Sequence, residues 1–122
     1  MLLIDRSATR SLFKPGDRIT GRVKWDFRKR KKNRVELVLL WFTEGVGNTD
    51  VGVAAVQEFN NLPAEGTREF EFMAPVAPQS FRGQLFRLKW AIEMKSDHGE
   101  LDRIELDITP HEAPLSFEPS PS

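Results

Sequence analysis

The feature that most constrains this chain is an alternation of apolar and polar side chains with a period of two. It runs from Asp17 to Phe27 and recurs in 69–73, 86–95 and 103–109. This alternation is typical of β-strands with one face buried and the other in water. No stretch shows a helical apolar stripe with capping residues. The sequence therefore predicts an all-β protein.

The same alternation assigns which side chains of these strands face the core. The in-facing set is Ile19, Val23, Trp25, Phe27, Phe70, Phe72, Phe86, Leu88, Trp90, Ile92, Met94, Ile104, Leu106 and Ile108. Val35–Phe42 is almost continuously apolar, which predicts a central strand covered on both faces. Val51–Phe59 is a further strand rich in Val and Ala, and Leu2–Asp5 is a short one. We expect all three tryptophans, Trp25, Trp41 and Trp90, in the core.

Turn signals rich in Gly, Pro, Asn and Asp separate the strands at intervals of about 8–15 residues, as in a β-sandwich. The first, Lys14-Pro15-Gly16-Asp17, suits a type II turn, because Pro presets the second position and Gly takes the positive φ of the third. We expect one domain over 1–110, built from about seven antiparallel strands in two packed sheets. Residues 111–122 carry Pro114, Pro119 and Pro121 and predict a disordered or loosely packed tail.

The composition excludes several kinds of protein chemistry. The chain has 122 residues and no cysteine, which removes disulfides, thiol nucleophiles and Cys-ligated zinc. It shows neither an apolar signal-peptide core nor a run of about 18 apolar residues. We therefore expect a cytoplasmic protein with no transmembrane segment, no metal and no cofactor.

Two stretches, by their order and spacing along the chain, resemble arrestin-type domains. Phe13–Val23 is similar to the opening "Pro-Gly-acid-x-hydrophobic-x-Gly-x-Val" segment, and the later stretch Phe70-Glu71-Phe72 through Ser80-Phe81-Arg82-Gly83 to Leu88–Ile92 resembles the second half of the same domain. The resemblance spans about residues 11–109. It implies an immunoglobulin-like arrestin sandwich and a non-enzymatic adaptor or scaffold. Typical members carry two sandwiches in tandem, whereas this chain has the length of one.

The densest charged feature is a basic run between two predicted strands, which we call the basic loop: Arg28, Lys29, Arg30, Lys31, Lys32 and Arg34. Six cations within seven residues could contact an acidic protein, phosphate groups or anionic lipid. The alternative is a solvated hairpin whose charge discourages aggregation beside the apolar strand 35–42. Nucleic acid is disfavoured, because the run contains no aromatic residues and the whole chain has a net charge of zero.

The overall charge is unevenly distributed along the chain. Residues 1–34 hold twelve Lys and Arg against three acids, and residues 93–118 hold eight acids against two bases. If the fold brings these stretches side by side, they neutralise one another. The other possibility is a polar molecule with one basic face available to a partner.

No set of residues has the spacing of a catalytic or metal site. His98, beside Asp97, and His111 lack converging partners, and Ser80 and Ser96 have no nucleophile-elbow pattern. Three carboxylates, Glu93, Glu105 and Asp107, are expected on outward faces. A carboxylate pair could hydrolyse glycosides, but salt bridges to Arg87, Lys89 or Arg103 are the favoured interpretation.

The sequence thus predicts a domain that binds proteins and does not catalyse a reaction. Contact through loops or exposed sheet edges fits a sandwich, because an edge strand can accept a strand from another chain. Self-association through an edge is equally compatible with the pattern. The alternative is a small-ligand module or an enzyme whose site lies between loops at one end of the sandwich.

Overall fold

The computed structural model describes residues 1–5, 10–45, 47, 49–83 and 85–116. Within them the chain forms ten strands and no helix, so the all-β prediction is confirmed. The strands are β1 (Leu2–Ile4), β2 (Leu12–Phe13), β3 (Arg18–Asp26), β4 (Asn33–Gly45), β5 (Val51–Leu62), β6 (Glu65–Met73), β7 (Phe81–Arg82), β8 (Phe86–Ser96), β9 (Leu101–Ile108) and β10 (Leu115–Ser116).

These strands form the two packed sheets that the alternation predicts. One sheet has three antiparallel strands in the order β1-β3-β6. In the other, β4 lies between β5 and β8, and the far side of β8 pairs first with β7 and then with β9. The apolar faces of the two sheets meet in a single core that includes residues of every long strand.

The strand count differs from the expected seven because β2, β7 and β10 contain two residues each. A strand this short shows no alternation, so the sequence pattern cannot reveal it. Two of the short strands also break the antiparallel rule: β2 runs parallel to β9, and β10 runs parallel to β7. Strand β10 lies within the expected tail, and the residues from 117 to 122 lie outside the described part of the chain.

The core confirms most of the predicted in-facing residues and corrects two positions. Trp25 and Trp90 are buried, and each indole Nε1–H donates to a proline carbonyl oxygen, Pro63 and Pro78 respectively, at 3.0 Å. Phe86 is 46% exposed because the alternation starts only after the first residues of β8. Thr109, which the alternation of 103–109 assigns to the outward face opposite Ile108, is fully buried, and its backbone N–H donates to the Phe13 carbonyl oxygen at 2.9 Å.

The predicted turn before β3 is confirmed in detail. Gly16 has a φ of 87°, as the third position of a type II turn requires. The Asp17 Oδ2 accepts a hydrogen bond of 2.9 Å from the Lys14 backbone N–H. This bond, with the Arg10 guanidinium 3.3 Å from the same oxygen, lowers the pKa of the Asp17 carboxyl below its ordinary value. The turn therefore stabilises the ionised carboxylate.

Strand β4 is covered on both faces, as its continuous apolar sequence predicts. Its inward residues Val35, Leu37 and Leu39 are fully buried in the main core. Its outward residues Leu40 and Phe42 are also nearly buried, and they form a second apolar cluster with Ala91 of β8 and the half-buried Val38. The outward side of β4 therefore carries a smaller apolar cluster that neighbouring side chains largely shield from water, next to whichever strand lies at the sheet edge.

A candidate protein-binding edge and face

The edge of the larger sheet is β5, a strand of twelve residues. Among the described residues it pairs with one strand only, β4. In a β-strand, successive backbone N–H and C=O groups point to opposite sides, so alternate residues of β5 present theirs to solvent. A long row of unpaired backbone groups can accept a further strand.

The side chains of this edge are apolar as well as exposed. Val51, Val53 and Val56 are 64%, 62% and 52% exposed. The strand register places them opposite Phe42, Leu40 and Val38, which belong to the outward cluster of β4. The three valines therefore extend that cluster to the rim of the sheet. We call these six residues the outer apolar face. Exposed apolar patches of this kind commonly mark binding surfaces.

Strand β5 lacks two of the features that usually protect an edge strand. It contains no Lys or Pro, and no residue from Val51 to Gln57 is charged. It does have a β-bulge, because Leu39 pairs with Ala55 and Leu40 with Val53, which leaves Ala54 without an opposite residue; a second irregularity follows between the Val35–Phe59 and Asn33–Leu62 pairs, and the first of the two is the one that affects the exposed valines. A bulge increases local twist and is itself a protection, but here it lies between the exposed valines and leaves both halves of the edge open.

The outer apolar face borders a shallow depression of about 650 Å³ on the same side of the sheet. Leu40, Phe42 and Val51 lie along its apolar part. The Arg103 guanidinium lies over the Phe42 ring at 4.4 Å from the ring centre, and it also pairs with Glu93 at 3.6 Å. The charges at this border are thus balanced by one another.

The inward face of β5 is held by contacts to β6 across the open side of the sandwich. The Gln57 side-chain amide donates to the Glu71 backbone carbonyl, and the Arg68 guanidinium lies 4.8 Å from the centre of the Phe59 ring. Gly52 lies against the half-buried Trp41 indole, because a Cβ at this position would come within 2.1 Å of its Nε1. These contacts fix the position of β5 while its outer edge stays open.

The basic loop lies at the end of the sandwich where β5 finishes, because Asn33, the first residue of β4, pairs with Leu62. All six of its cations are exposed. Arg30 pairs with Asp97 at 3.7 Å, whereas the other five make no ion pair within the described residues. Arg28, Lys29 and Lys32 have φ of 52°, 69° and 59°, a left-handed region that side chains other than Gly rarely adopt.

Asn33 is a structural residue that sequence reasoning missed, because it sits within the charged run. It is fully buried, and its Nδ2 donates to the backbone carbonyl oxygens of Arg30 at 2.6 Å and of Leu62 and Pro63 at 3.4 Å. One side chain thus joins the basic loop, β5 and the turn that follows it. An uncharged amide among six cations was the only available signal.

The polar residues considered for catalysis make local contacts with neighbouring side chains and backbone groups. His98 Nδ1 and Nε2 lie 3.2 Å from Asp97 and 3.3 Å from Glu100 respectively, and the ring meets Phe27 edge-on. The buried Ser80 Oγ accepts from the Ile108 backbone N–H at 2.9 Å. Within the described ranges, no group of three or more His, Asp or Glu side chains is arranged to hold a metal ion.

The ion pairs on the sheet faces show which charged residues the fold brings together. Glu93 pairs with Arg103, and Lys89 pairs with Glu105 at 3.5 Å, which confirms the salt bridges predicted from the outward positions of these acids. The neutralisation of the basic N-terminal stretch by the acidic C-terminal one, considered from the sequence, occurs between Arg30 and Asp97 and between the Met1 amino group and Glu100. Arg18 and Arg22 instead pair with glutamates of β6, because β6 is the neighbour of β3 in its sheet.

Comparison with known proteins identifies the fold but not a family. No family model matches the chain, and no curated protein matches its sequence. Among solved structures, the sporulation control protein Spo0M of Bacillus subtilis superposes with a TM-score of 0.59 and 14% identity, over 91% of this chain and 49% of the Spo0M chain. A mutant β-glucosidase of Listeria innocua has a TM-score of 0.51 and 12% identity, over 88% of this chain and 16% of the enzyme.

These likenesses concern the fold alone, because their sequence identity is low. The chain spans about half the length of Spo0M and a small part of the β-glucosidase. No helix in the described residues is long and apolar enough to cross a membrane. The superposition on Spo0M covers nearly the whole chain, and the chain has the arrestin-like, immunoglobulin-like sandwich fold that its motifs implied.

Proposed function

We propose that this domain is a non-enzymatic, cytoplasmic protein-binding module of the arrestin type, and that it binds its partner through the open edge of β5 and the outer apolar face. The observation that carries the proposal is the combination of a twelve-residue edge strand, paired on one side only among the described residues, with three valines that are each more than half exposed. Added strands gain affinity from backbone hydrogen bonds and specificity from alternate side chains.

The geometry of the edge favours strand addition over contact with a small molecule. The depression beside the outer apolar face is shallow, and its charged border is already paired within the chain. By contrast, the backbone of β5 offers donors and acceptors to a further strand on both sides of its bulge at Ala54. A partner strand would also cover part of the exposed valine surface. Burial of apolar surface stabilises a complex by about 25 cal/mol per Å².

Site-specific photo-crosslinking in the cell that expresses the protein tests this proposal. A benzophenone amino acid at position 56 should form an adduct with the partner, and the additional substitution Val53→Lys should reduce its yield about tenfold or more, because a Lys on an edge opposes strand addition. Val53 is 62% exposed within the single chain, so the substitution should leave the fold intact, which far-ultraviolet circular dichroism measures.

The matched control is Met73→Lys, on the edge strand β6, where the side chain is 71% exposed. This variant should leave the adduct at position 56 undiminished. The absence of any adduct at position 56, or an adduct that Val53→Lys does not weaken, would refute binding at the β5 edge.

We also propose that the basic loop contacts an acidic protein surface. Five of its six cations make no ion pair in the described part of the chain, and like charges held together in one short loop repel each other. A partner that supplies carboxylates relieves this repulsion. The alternative is the solubilising hairpin considered from the sequence.

Reversing Lys29, Arg30, Lys31 and Lys32 to Glu should slow association with such a partner about tenfold or more at low salt. The difference should shrink at physiological salt, where exposed charges are screened within about 8 Å. Surface plasmon resonance at two salt concentrations measures both effects. Unchanged association together with an unchanged melting temperature would leave the loop its solubilising role.

A further inference from the structure

We infer that the strand that adds to β5 is the β5 of a second copy of this chain, in an antiparallel pair related by a two-fold axis. The inference rests on the proposed binding at the β5 edge and names the partner. It follows from the pattern of outward residues along β5 and from the position of the bulge.

The bulge at Ala54 changes which residues of β5 point outward. Before it the outward residues are odd-numbered, Val51 and Val53, and after it they are even-numbered, Val56 and Glu58. Without the bulge, one parity would hold along the whole strand. The two halves of β5 therefore present their outward side chains in opposite phase.

This phase change restricts the registers in which two copies of the strand can pair with outward side chains opposite one another on both sides of the bulge. In a two-fold interface, if one residue lies opposite a second, that second residue lies opposite the first in the other copy. An axis between Ala54 and Ala55 places Val53 of each copy opposite Val56 of the other. In this register Val51 of each copy lies opposite Glu58 of the other, and both residues point outward. Outward residues before the bulge therefore meet outward residues after it in the other copy.

The charges on β5 also suit a second copy. Because no residue from Val51 to Gln57 is charged, the paired region brings no like charges together. Glu58 of one copy lies opposite Val51 of the other, so the two glutamates stand at opposite ends of the ladder. Like charges directly opposite one another destabilise a strand pair, and this register avoids them.

Pairing in this register also joins the outer apolar faces of the two copies. Each Val53 lies next to Leu40 within its own sheet, and each Val56 lies next to Val38. The valine pairs at the interface thus connect the outward clusters of the two copies into one surface across the axis. The two larger sheets become a single continuous sheet.

Cysteine cross-linking tests the register, because the chain itself has no cysteine. Val53→Cys mixed with Val56→Cys, one of them carrying a size tag, should give a disulfide-linked heterodimer under mild oxidation. Directly opposite residues have Cα atoms about 4.5–5.5 Å apart, within disulfide range. Each variant alone should remain unlinked, because its two cysteines are offset by three residues, about 10 Å along the strand.

Sedimentation equilibrium between about 1 μM and 1 mM tests the assembly itself. The unmodified protein should reach twice its chain mass of 14.0 kDa, and Val53→Lys should remain at the single-chain mass. Cross-linking of either cysteine variant alone, to the extent seen in the mixture, would refute the register. A protein that stays monomeric, but still gives an adduct of another mass at position 56, would refute the second copy and leave the proposed binding edge standing.

Discussion

Replacing Trp90 with Ala should lower the free energy of unfolding by about 3–5 kcal/mol, a large fraction of the stability of a domain this size. Trp90 is fully buried at the middle of β8, where it lies opposite Trp41 on one side and Leu106 on the other. Its removal leaves a cavity that the surrounding strands cannot close, because both sides of β8 are hydrogen-bonded. It also deprives the Pro78 carbonyl oxygen of its donor.

Urea unfolding followed by far-ultraviolet circular dichroism measures this loss. The control is Trp90→Phe, which keeps most of the apolar volume and loses the indole N–H. It should be destabilised by less than the alanine variant, by about 1–3 kcal/mol. A loss below about 1 kcal/mol for Trp90→Ala would contradict the packing of β8 in the core.

Asn33→Asp should lower the stability by about 3 kcal/mol or more at pH 7, although it changes the side-chain shape very little. The substitution replaces the Nδ2 donor with an oxygen that faces the carbonyl oxygens of Arg30, Leu62 and Pro63. Burial and these oxygens both disfavour a charged carboxylate, so the folded state should raise the pKa of this group. The variant should therefore lose stability as the pH rises from about 4 through that raised value.

The comparison of unfolding free energies at pH 4.5 and pH 7 measures this dependence, with the unmodified protein at both values as the reference. Asn33→Ala is the control, because it removes the donors without adding a charge, and its loss of about 1–3 kcal/mol should not change between the two pH values. An equal loss for Asn33→Asp at both pH values would show that position 33 is not shielded from water.

Sequence alternation predicted the faces of the long strands with few errors, because the period of a strand is a local property of the backbone. Trp25 and Trp90 were assigned to the core correctly, whereas Trp41 is only half-buried. The Trp41 side chain does face inward on β4, where it packs against the main core. It lies near the end of the strand, beside Gly52 of the edge strand, which has no side chain to cover it.

The candidate binding site was less predictable. The sequence identified Val51–Phe59 as a strand rich in Val and Ala, but it did not indicate where in the sheet this strand lies. The structure places that strand at the edge, where its three valines are exposed. Strand order depends on pairings between residues far apart in the chain, and no local pattern distinguishes an apolar strand in the middle of a sheet from one at its edge.

By itself, the sequence determined the all-β class, the Lys14–Asp17 turn and the main core, since each of these follows from side chains a few residues apart. Only the tertiary structure decided that β5 lies at a sheet edge, that the outward cluster of β4 extends to that edge, and that Asn33 is buried beneath the basic loop. These features arise where separate stretches meet: β5 with β4, and Asn33 with Leu62 and Pro63. The physical reason is that hydrogen-bond pairing and burial are properties of neighbours in space, whereas the alternation records only neighbours in the chain.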